Sequence, residues 1–394
     1  MDHPERFAEL PPHAWPRLRA LLDAHAPGGP VAHMTIGEPR HPFPGWVAET
    51  IAENAEGFGR YPVNEGSPEL LAAIAAWLRR RYGVEVGPER LLALNGTREG
   101  LFAAALALGV ERKAGRRPAV LIPNPFYGVY AAAAAAIGAE PVFVPATEGT
   151  GFLPDYAALP PGTLDRVTLA YACSPANPQG AVASEAWWAD LLALAERHDF
   201  AVVADECYAE VWRDAPPPGV LEAAHRAGAD PERALAIHSL SKRSNMPGLR
   251  SGFAAGGPRA VAAMRQLRAY AGAPLPGPIQ AASARLWADE AHVEASRALY
   301  RAKFDAADRI LAGVPGYASP PAGFFLWLPV PEGDGEAAAL RLWRETGVRV
   351  LPGGYLAREA GGETPGRDRV RVALVAPLHE VEEALGRLRG CIYG

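Results

Sequence analysis

The first residue whose type and surroundings point to chemistry is Lys242, in the stretch SLSKRSNMPGLRSGF at residues 239–253. The chain has 39 lysines and arginines together, and only Lys113, Lys242 and Lys303 are lysines. Arginine stays protonated in a protein, whereas a buried lysine can lose its proton and act as a nucleophile or a base. A reactive amine is one interpretation of Lys242, and an ordinary surface lysine is the other.

Groups that bind anions accompany this lysine in the sequence. Ser239 and Ser241 precede it, and Arg250 follows eight residues later. In NGTREGLF, a tight turn at residues 95–97 predicts backbone N–H groups at a helix N-terminus, where anions bind. Many helices begin with Gly-Thr, so this turn alone is a weak signal. An amine beside an anion site suggests a phosphate-bearing carbonyl compound bound as a Schiff base, and pyridoxal 5'-phosphate fits that description.

Polar side chains follow four short apolar runs, PAVLIPNP, RVTLAYACSPANP, FAVVADECY and ALAIHSLSK. Continuous apolar runs bounded by turn residues are typical of strands buried on both faces. Ligands of doubly wound sheets bind beyond the carboxyl ends of such strands. We therefore expect these side chains to meet at one edge of a sheet: Asn124, Asn177, Asp205 and Lys242.

Asp205 has a specific use at such an edge. A carboxylate at the end of a buried strand is unfavourable unless it is paired, so a helix cap or a buried salt bridge is the ordinary interpretation. Opposite a pyridine nitrogen, it would keep that nitrogen protonated and the ring an electron sink. Asn177 and Tyr208 can both donate hydrogen bonds to the phenolic oxygen of the same ring.

Composition excludes several other classes of function. A net charge of −5 does not favour nucleic acid or an anionic membrane as the main partner. The ten histidines and three cysteines form no metal-ligand spacing, so we expect no metal site. The start MDHPERFAEL lacks the regions of a signal peptide, and the cysteine usage suits a reducing compartment, so we expect a cytoplasmic protein.

Helical and strand patterns alternate along the chain, which predicts an α/β fold with a mainly parallel central sheet flanked by helices. We assign this large domain to residues 45–285. Residues 67–83 form a clear predicted helix, with Ser67 as its cap and Gly83 at its end. After about residue 285 the pattern changes, and residues 1–44 and 286–394 are predicted to form a smaller α+β domain.

The ordered motifs NGTREGL, SPANPQG, DECY and SLSKRSNMPGLRSGF resemble those of the fold type I pyridoxal-phosphate-dependent aminotransferases, class I/II. The resemblance runs from residues 36–44 to residues 369–377. It implies that Lys242 holds the cofactor covalently and moves protons, with Asp205 at the pyridine nitrogen. The phosphate would be bound by five residues: Thr97, Arg98, Ser239, Ser241 and Arg250.

The resemblance also assigns residues beyond the motif core. Tyr127 would stack on the cofactor, and Tyr61 would reach the phosphate of a neighbouring subunit, which implies a homodimer with shared active sites. Arg371 would bind the substrate α-carboxylate as a fork, helped by the backbone near Gly37. Both tyrosines could instead be plain core aromatics, and Arg369 competes with Arg371 for the carboxylate.

Within the family, the motifs look most like those of bacterial succinyldiaminopimelate aminotransferases of lysine biosynthesis, which exchange an amino group between glutamate and N-succinyl-2-amino-6-ketopimelate. The region YAGAPLPGP has no arginine after Arg268, which argues against an aspartate-type site. The distal carboxylate is left to Arg98, Arg243 or the N-terminal segment. An aspartate or broad-specificity aminotransferase, a C–S lyase or an aminocyclopropane-carboxylate synthase would share the same motifs.

Overall fold

The computed structural model describes residues 5–8, 10 and 12–394. The α-helices are α1 (Ala14–Leu22), α2 (Trp46–Glu53), α3 (Pro68–Tyr82), α4 (Thr97–Leu108), α5 (Gly128–Ala136), α6 (Pro161–Leu164), α7 (Glu185–His198), α8 (Val220–Ala227), α9 (Leu240–Arg243), α10 (Pro258–Arg268), α11 (Gly277–Ala288), α12 (Ala291–Ile310), α13 (Gly335–Thr346) and α14 (Leu378–Ile392). The strands are β1 (Ala32–His33), β2 (Leu91–Leu94), β3 (Ala119–Asn124), β4 (Glu140–Pro145), β5 (Val167–Cys173), β6 (Ala201–Asp205), β7 (Ala234–Ser239), β8 (Gly252–Gly256), β9 (Phe325–Pro329), β10 (Val348–Arg349), β11 (Leu351–Pro352) and β12 (Arg369–Ala373). Short 3₁₀ turns lie at Glu5–Phe7, Ala55–Gly59, Pro88–Arg90, Glu148–Thr150, Tyr156–Ala158, Pro231–Arg233, Pro247–Leu249 and Gly353–Leu356.

The predicted helix at residues 67–83 is confirmed as α3. The Ser67 hydroxyl accepts a hydrogen bond from the Leu70 N–H at 3.2 Å, which satisfies one of the free donors of the first turn. Gly83 ends the helix in the left-handed conformation, at φ 68°. The apolar face of α3 is buried, and α11 is among the helices that pack against α3.

Seven strands form the central sheet in the order β2-β8-β7-β6-β5-β3-β4. Strand β8 runs antiparallel to its neighbours β2 and β7, and the other neighbouring strands of this sheet are parallel. Apolar side chains cover both faces of the sheet. The predicted α/β fold with a mainly parallel, helix-flanked sheet is confirmed.

Two smaller sheets are formed by strands that lie before and after the central sheet in the sequence. Strands β11, β12 and β9 form an antiparallel sheet, and β1 pairs in parallel with β10 through Ala32 and Val348. The N-terminal segment therefore packs on the C-terminal part of the chain. The strands of the central sheet all lie within residues 91–256. The domain limits near residues 44 and 286 stay a prediction.

A helix that crosses a bilayer needs about 20 consecutive, mostly apolar residues. Within residues 5–8, 10 and 12–394, no helix has the length and apolar character needed to cross a membrane.

Candidate active site

A cavity of about 500 Å³ opens at the carboxyl edge of the central sheet. Strands β5, β6 and β7 end beside it, and the N-terminus of α4 borders it. Many of the predicted site residues line it: Gly37, Thr97, Arg98, Tyr127, Asn177, Asp205, Tyr208, Ser239, Ser241, Lys242 and Arg250. The expected convergence of strand ends at one sheet edge therefore produces a real concave site.

Lys242 lies on the short helix α9, directly after β7, and its amine points into the cavity. The amine donates a hydrogen bond to the Gly37 carbonyl oxygen. Burial lowers the pKa of Lys242, and Arg371 and Arg250 add to that effect, while Cys207 and Glu38 oppose it. A lowered pKa makes the free amine, which is the nucleophile and the base, easier to form.

Asp205 ends β6 as a fully buried carboxylate. Its Oδ2 accepts a hydrogen bond from the Tyr130 hydroxyl at 2.9 Å, and its Oδ1 accepts one from the Cys207 N–H at 3.3 Å. Burial raises the pKa of Asp205, and these hydrogen bonds only partly offset it. In the described part of the chain no ion pair involves this carboxylate, so a buried anion faces the cavity without a cation.

An anion cradle forms the other end of the cavity. Helix α4 begins at Thr97 after Gly96, whose φ is 85°. A β-carbon at Gly96 would lie 2.5 Å from Nη2 of Arg250, so only glycine leaves room for this guanidinium. The Ser239 hydroxyl donates to the Ser241 hydroxyl at 2.9 Å. Two hydroxyls, a guanidinium and a helix N-terminus therefore surround one position.

Arg371 lies on β12, in the small antiparallel sheet, and reaches across to the cavity edge. Its Nη1 donates to Oδ1 of Asn177 at 2.9 Å, and its Nη2 donates to the Thr35 carbonyl oxygen at 2.7 Å. Its Nε is buried and has no hydrogen-bond partner in the described structure. Burial lowers the pKa of Arg371 to about 10. A buried guanidinium with no carboxylate beside it is a receptor for an external one.

The two arginines of β12 have different surroundings. Arg369 forms an ion pair with Glu148 at 3.0 Å and donates to the Trp327 carbonyl oxygen at 3.3 Å. Arg369 lines neither this cavity nor the second cavity that adjoins it, whereas Arg371 lines the second. The geometry therefore favours Arg371 for the carboxylate.

A second cavity of about 560 Å³ adjoins the first, and the two share lining residues that include Gly37, Arg98, Tyr127, Asn177 and Tyr208. The wall of the second cavity that is not shared with the first is formed by the N-terminal segment, α5 and the turn at Gly353–Leu356. The lining of the second cavity is mostly apolar. Among its described lining residues the charged side chains are arginines, and no aspartate or glutamate contributes.

Arg98 and Tyr127 stand where the two cavities meet. The Arg98 Nε donates to the Tyr127 hydroxyl at 2.7 Å. Tyr127 precedes α5, and its ring contacts Tyr130 edge-on, with the ring centroids 5.9 Å apart. Tyr208 is buried between Phe324 and Phe325, and burial raises its pKa, so it holds its proton and donates. These side chains form a wall that an aromatic cofactor ring can lie against.

Three residues singled out from the sequence are placed elsewhere. Tyr61 is fully exposed and lines neither cavity. Asn124 does end β3 at this sheet edge, but its amide bonds both backbone groups of Arg358 and holds that loop instead. Arg243 is buried on the far side of α9, where it pairs with Glu290 at 2.9 Å. Arg243 is thereby unavailable to a substrate.

Six residues that line the first cavity were not predicted as parts of the site: Ile36, Glu38, Tyr130, Cys173, Cys207 and Pro247. Tyr130 lies three residues after Tyr127, which places both on one side of α5. That spacing could have indicated it. Cys207, predicted to be a packing residue, lines the cavity as well, and burial raises the pKa of its thiol well above the ordinary value. An inert thiol agrees with its position beside a buried carboxylate.

The donor set fits pyridoxal 5'-phosphate. Asp205 has no cationic partner within the described part of the protein, and the protonated pyridine nitrogen of the cofactor would be that partner. The cradle at Gly96 and Arg250 can bind an anion, and the phosphate of the cofactor would be that anion. Lys242 supplies an amine with a lowered pKa between them. By contrast, no group of three or more His, Cys, Asp or Glu side chains that could hold a metal ion occurs in the described ranges.

Comparisons with known proteins agree with this chemistry. A family model described as aminotransferase class I and II matches residues 30–388. An LL-diaminopimelate aminotransferase of Desulforudis audaxviator is 34% identical over 397 residues, which cover 98% of this chain and 97% of that protein. An aminotransferase structure from Neisseria meningitidis has 35% identity and a TM-score of 0.94, with 98% of both chains covered.

A further solved structure, a "probable N-succinyldiaminopimelate aminotransferase" from Thermus thermophilus, is 28% identical with a TM-score of 0.82, and covers 96% of this chain and 98% of that one. The family match, the fold and the chemistry of the cavity therefore all agree with a site for pyridoxal 5'-phosphate.

Proposed function

The chain belongs to the class I and II aminotransferases, which depend on pyridoxal 5'-phosphate, and we propose that it exchanges an amino group between glutamate and N-succinyl-2-amino-6-ketopimelate. That reaction belongs to the diaminopimelate branch of lysine biosynthesis. The catalytic cycle is ping-pong, because one amino acid leaves as its ketoacid before the second ketoacid enters the same site. The three cysteines are unpaired, and we propose the cytoplasm as the compartment.

One observation carries the proposal. Arg371 is a buried guanidinium without a carboxylate partner in the described part of the chain, and it opens onto a second cavity of about 560 Å³. An α-amino acid places its carboxylate on Arg371 and its side chain in that cavity. The cavity is larger than a glutamate side chain needs, and its charged lining residues are cationic. A long anionic side chain with a bulky acyl group fits these properties.

The cofactor, once bound, supplies the electron sink that stabilises negative charge at the substrate Cα. Lys242 would take the proton from the substrate Cα as a general base and would then donate a proton as a general acid. Asp205 keeps the pyridine nitrogen protonated. The Asn177 amide uses its oxygen on Arg371, which leaves its NH₂ group and the Tyr208 hydroxyl to donate to the phenolic oxygen.

Arg98 is the side chain that we propose for the distal carboxylate, in place of the phosphate contact that the resemblance implies. Arg243 is paired with Glu290, whereas the two Nη atoms of Arg98 take part in no hydrogen bond or ion pair among the described residues. Substituting Arg98→Gln should raise KM for the long diacid about tenfold, because a charge-assisted hydrogen bond is lost. KM for alanine, which has no distal carboxylate, should change less than about twofold. Equal effects on both substrates would contradict this role.

The D. audaxviator relative favours a second candidate, in which the substrate is the unacylated LL-diaminopimelate. Single-turnover conversion of the cofactor, started with LL-diaminopimelate or with N-succinyl-LL-diaminopimelate, separates the two. We expect the succinylated amino acid to react faster. Faster reaction of the free diamine would replace the first candidate, and no reaction with either would remove both. Products formed from cystathionine would reveal a C–S lyase.

We further propose a homodimer, to which Tyr61 contributes. Its ring is fully exposed in the single chain, near the other exposed apolar side chains Phe58 and Val63 in sequence. A partner subunit that covers this surface would bring Tyr61 to the phosphate of the other site. Sedimentation of the holoenzyme should give a dimer, and Tyr61→Phe should weaken cofactor binding about tenfold, the loss expected for one hydrogen bond to a charged group.

A further inference from the structure

Residues 35–41 form a backbone segment, here called the strap, that crosses the mouth of the cavity. Ile36, Gly37 and Glu38 line the cavity itself. Three side chains outside the strap bond it, beside the ion pair of its own Arg40 with Glu380 at 3.9 Å. Arg371 donates to the Thr35 carbonyl oxygen at 2.7 Å, Lys242 donates to the Gly37 carbonyl oxygen, and Lys303 bonds His41, with Nζ 2.6 Å from Nε2. A side chain at Gly37 would collide with Phe324 and Phe325, so the strap lies close against the site.

Two of these three contacts involve groups that the reaction uses. Lys242 would have no free N–H to donate to Gly37 while its nitrogen is covalently bound to the cofactor. Arg371 binds the Thr35 carbonyl oxygen with a guanidinium that also receives the substrate carboxylate. The contact between His41 and Lys303 lies at the outer end of the strap, away from the reacting atoms, as do the Arg40–Glu380 ion pair at 3.9 Å and a longer contact of His41 Nδ1 with the Ser296 hydroxyl at 3.5 Å. The contact between His41 and Lys303 can persist through every step of the cycle.

Lys303 is an unusual residue at its position on α12. Only 2% of it is exposed, and no ion pair with a carboxylate involves it in the part of the chain that the structure describes. The charged groups that face it are Arg40 and Glu380, which pair with each other at 3.9 Å. Burial, aided by Arg40, lowers the pKa of Lys303 to about 7. A buried ammonium without a carboxylate is unfavourable for the fold alone.

His41 is a suitable partner for that ammonium. Burial, with Lys303 beside it, lowers the pKa of His41 to about 4, so its imidazole is neutral and accepts the Lys303 proton donor. The His41 ring also lies 4.4 Å, centroid to centroid, from the ring of Tyr300. Tyr300 stacks on Phe324 at 5.4 Å, and Phe324 contacts Tyr208 at 5.3 Å. The outer end of the strap therefore rests on the same aromatic group as the cavity wall.

We propose that His41 and Lys303 are positioning residues that keep the strap over the cavity after Lys242 releases Gly37. The pair touches neither cofactor nor substrate. The pair keeps the Gly37 backbone and the Thr35 carbonyl in place beside Arg371 and the bound substrate carboxylate. This inference rests on the transaminase activity of the family and does not depend on which ketoacid is used.

The test uses the holoenzyme and any amino donor that converts it. The variants Lys303→Met and His41→Leu should raise KM for the donor at least about fivefold, with kcat within about twofold, because the strap opens more often in the free enzyme. His41→Gln keeps an acceptor at the place of Nε2 and should retain a KM within about twofold of the wild type. Hydrogen exchange in residues 35–41 should quicken in the first two variants and not in the third.

Lys113→Met is the matched control. Lys113 is a partly buried lysine at the opposite side of the central sheet, where its ammonium bonds the carbonyl oxygens of Val167, His198 and Asp199. Its loss should lower the melting temperature and leave KM unchanged. An equal rise of KM in the control, or an unchanged KM in both His41→Leu and Lys303→Met, would overturn the proposal.

The pH dependence gives a second readout. Below about pH 7 Lys303 is an ammonium, and its hydrogen bond to neutral His41 is charge-assisted; above that pH the bond is between neutral groups and weaker. KM of the wild type should therefore rise as the pH increases through about 7. Lys303→Met should lack this step, since it has no proton to lose. A step of the same size in the variant would assign it to another group and contradict the proposal.

Discussion

Two groups of buried charged side chains, one around Glu210 and one at Asp205 and Arg371, differ in whether the protein supplies their counterions. In the first, Glu210 accepts from the Arg81 Nε at 2.7 Å and from the Arg297 Nη2 at 2.9 Å, which joins α3 to α12. In the second, Asp205 and Arg371 face the cavity, and the described structure gives neither of them an ion pair. The first group is complete within the protein, whereas the second becomes complete only with ligands.

The difference separates structural charges from functional ones. A buried ion pair that loses one partner leaves the other charge without solvation, so both partners of a structural pair are needed for stability. A charge that the protein leaves without a counterion reduces the stability of the free protein and gains its counterion when a ligand binds. Substitutions in the two groups should therefore act on different measured quantities.

The largest expected effect is on turnover, in Lys242→Ala. Loss of the amine removes both the covalent attachment of the cofactor and the proton transfer, so turnover should fall by about 10⁴-fold or more. The free energy of unfolding should change little, because burial already disfavours the charged amine. Borohydride reduction followed by peptide mapping checks the attachment, and substantial turnover in this variant would refute the mechanism.

The second effect is on stability, in Glu210→Ala. The substitution leaves Arg81 as a buried cation without a carboxylate and leaves Arg297 with only the more exposed Glu294, so it should lower the free energy of unfolding by about 3 kcal/mol. Urea unfolding measures this loss. For enzyme that remains folded, KM for the amino donor should stay near the wild-type value. A stable variant with poor substrate binding would place Glu210 in the functional group instead.

The third effect is on substrate binding, in Arg371→Leu. Loss of the carboxylate receptor should lower kcat/KM by about 10²–10³-fold, with the free energy of unfolding unchanged within about 1 kcal/mol. The matched control is Arg369→Leu on the same strand, which removes the ion pairs with Glu148 and Asp368 and the hydrogen bond to the Trp327 carbonyl oxygen but no group that lines either cavity, and should leave kcat/KM within about twofold. Reversed results for the two arginines would give the carboxylate to Arg369.

The smallest effect is on the stability of the free protein, in Asp205→Asn. The folded-state pKa of Asp205 is raised above its unfolded value, so its contribution to stability is fully present below about pH 4 and is lost as the pH rises through the folded pKa. The cofactor-free variant should therefore melt about 1–2 °C higher than the wild type at neutral pH, and not at about pH 4. Its cofactor should bind more weakly. A lower melting temperature at neutral pH would contradict this prediction.

Much of the site could be predicted because its residues follow strands directly. Asp205 ends an apolar run, and Lys242 follows another, so periodicity and chain order place both at one sheet edge. The helix at residues 67–83 could be predicted because its cap and its stop are local signals. Arg371 could be favoured over Arg369 from the sequence because it directly precedes the apolar run VALV, and the contacts of the two arginines agree with that choice.

Other features depend on contacts between distant parts of the chain. The hydrogen bond between His41 and Lys303 joins residues 262 positions apart, and no local sequence pattern predicts it. Asn124 follows an apolar run as the other strand-end residues do, yet its side-chain amide donates a hydrogen bond to the carbonyl oxygen of Arg358 and not to the cavity. Strand β8 is antiparallel to β7 because the connection between them is short. The hydrophobic periodicity of the sequence does not distinguish such a connection from the longer crossover that joins parallel strands.

That short connection carries both Lys242 and Arg250, so the proposed attachment point of the cofactor and its proposed phosphate ligand lie between two neighbouring strands of one sheet. Arg371 and Thr35 come instead from the region of the small sheets, remote in sequence. If a mild denaturant loosens the small sheets first, the enzyme loses its activity while the cofactor stays attached. Inactivated protein would then keep its visible absorbance, and dilution of the denaturant would restore turnover without added cofactor.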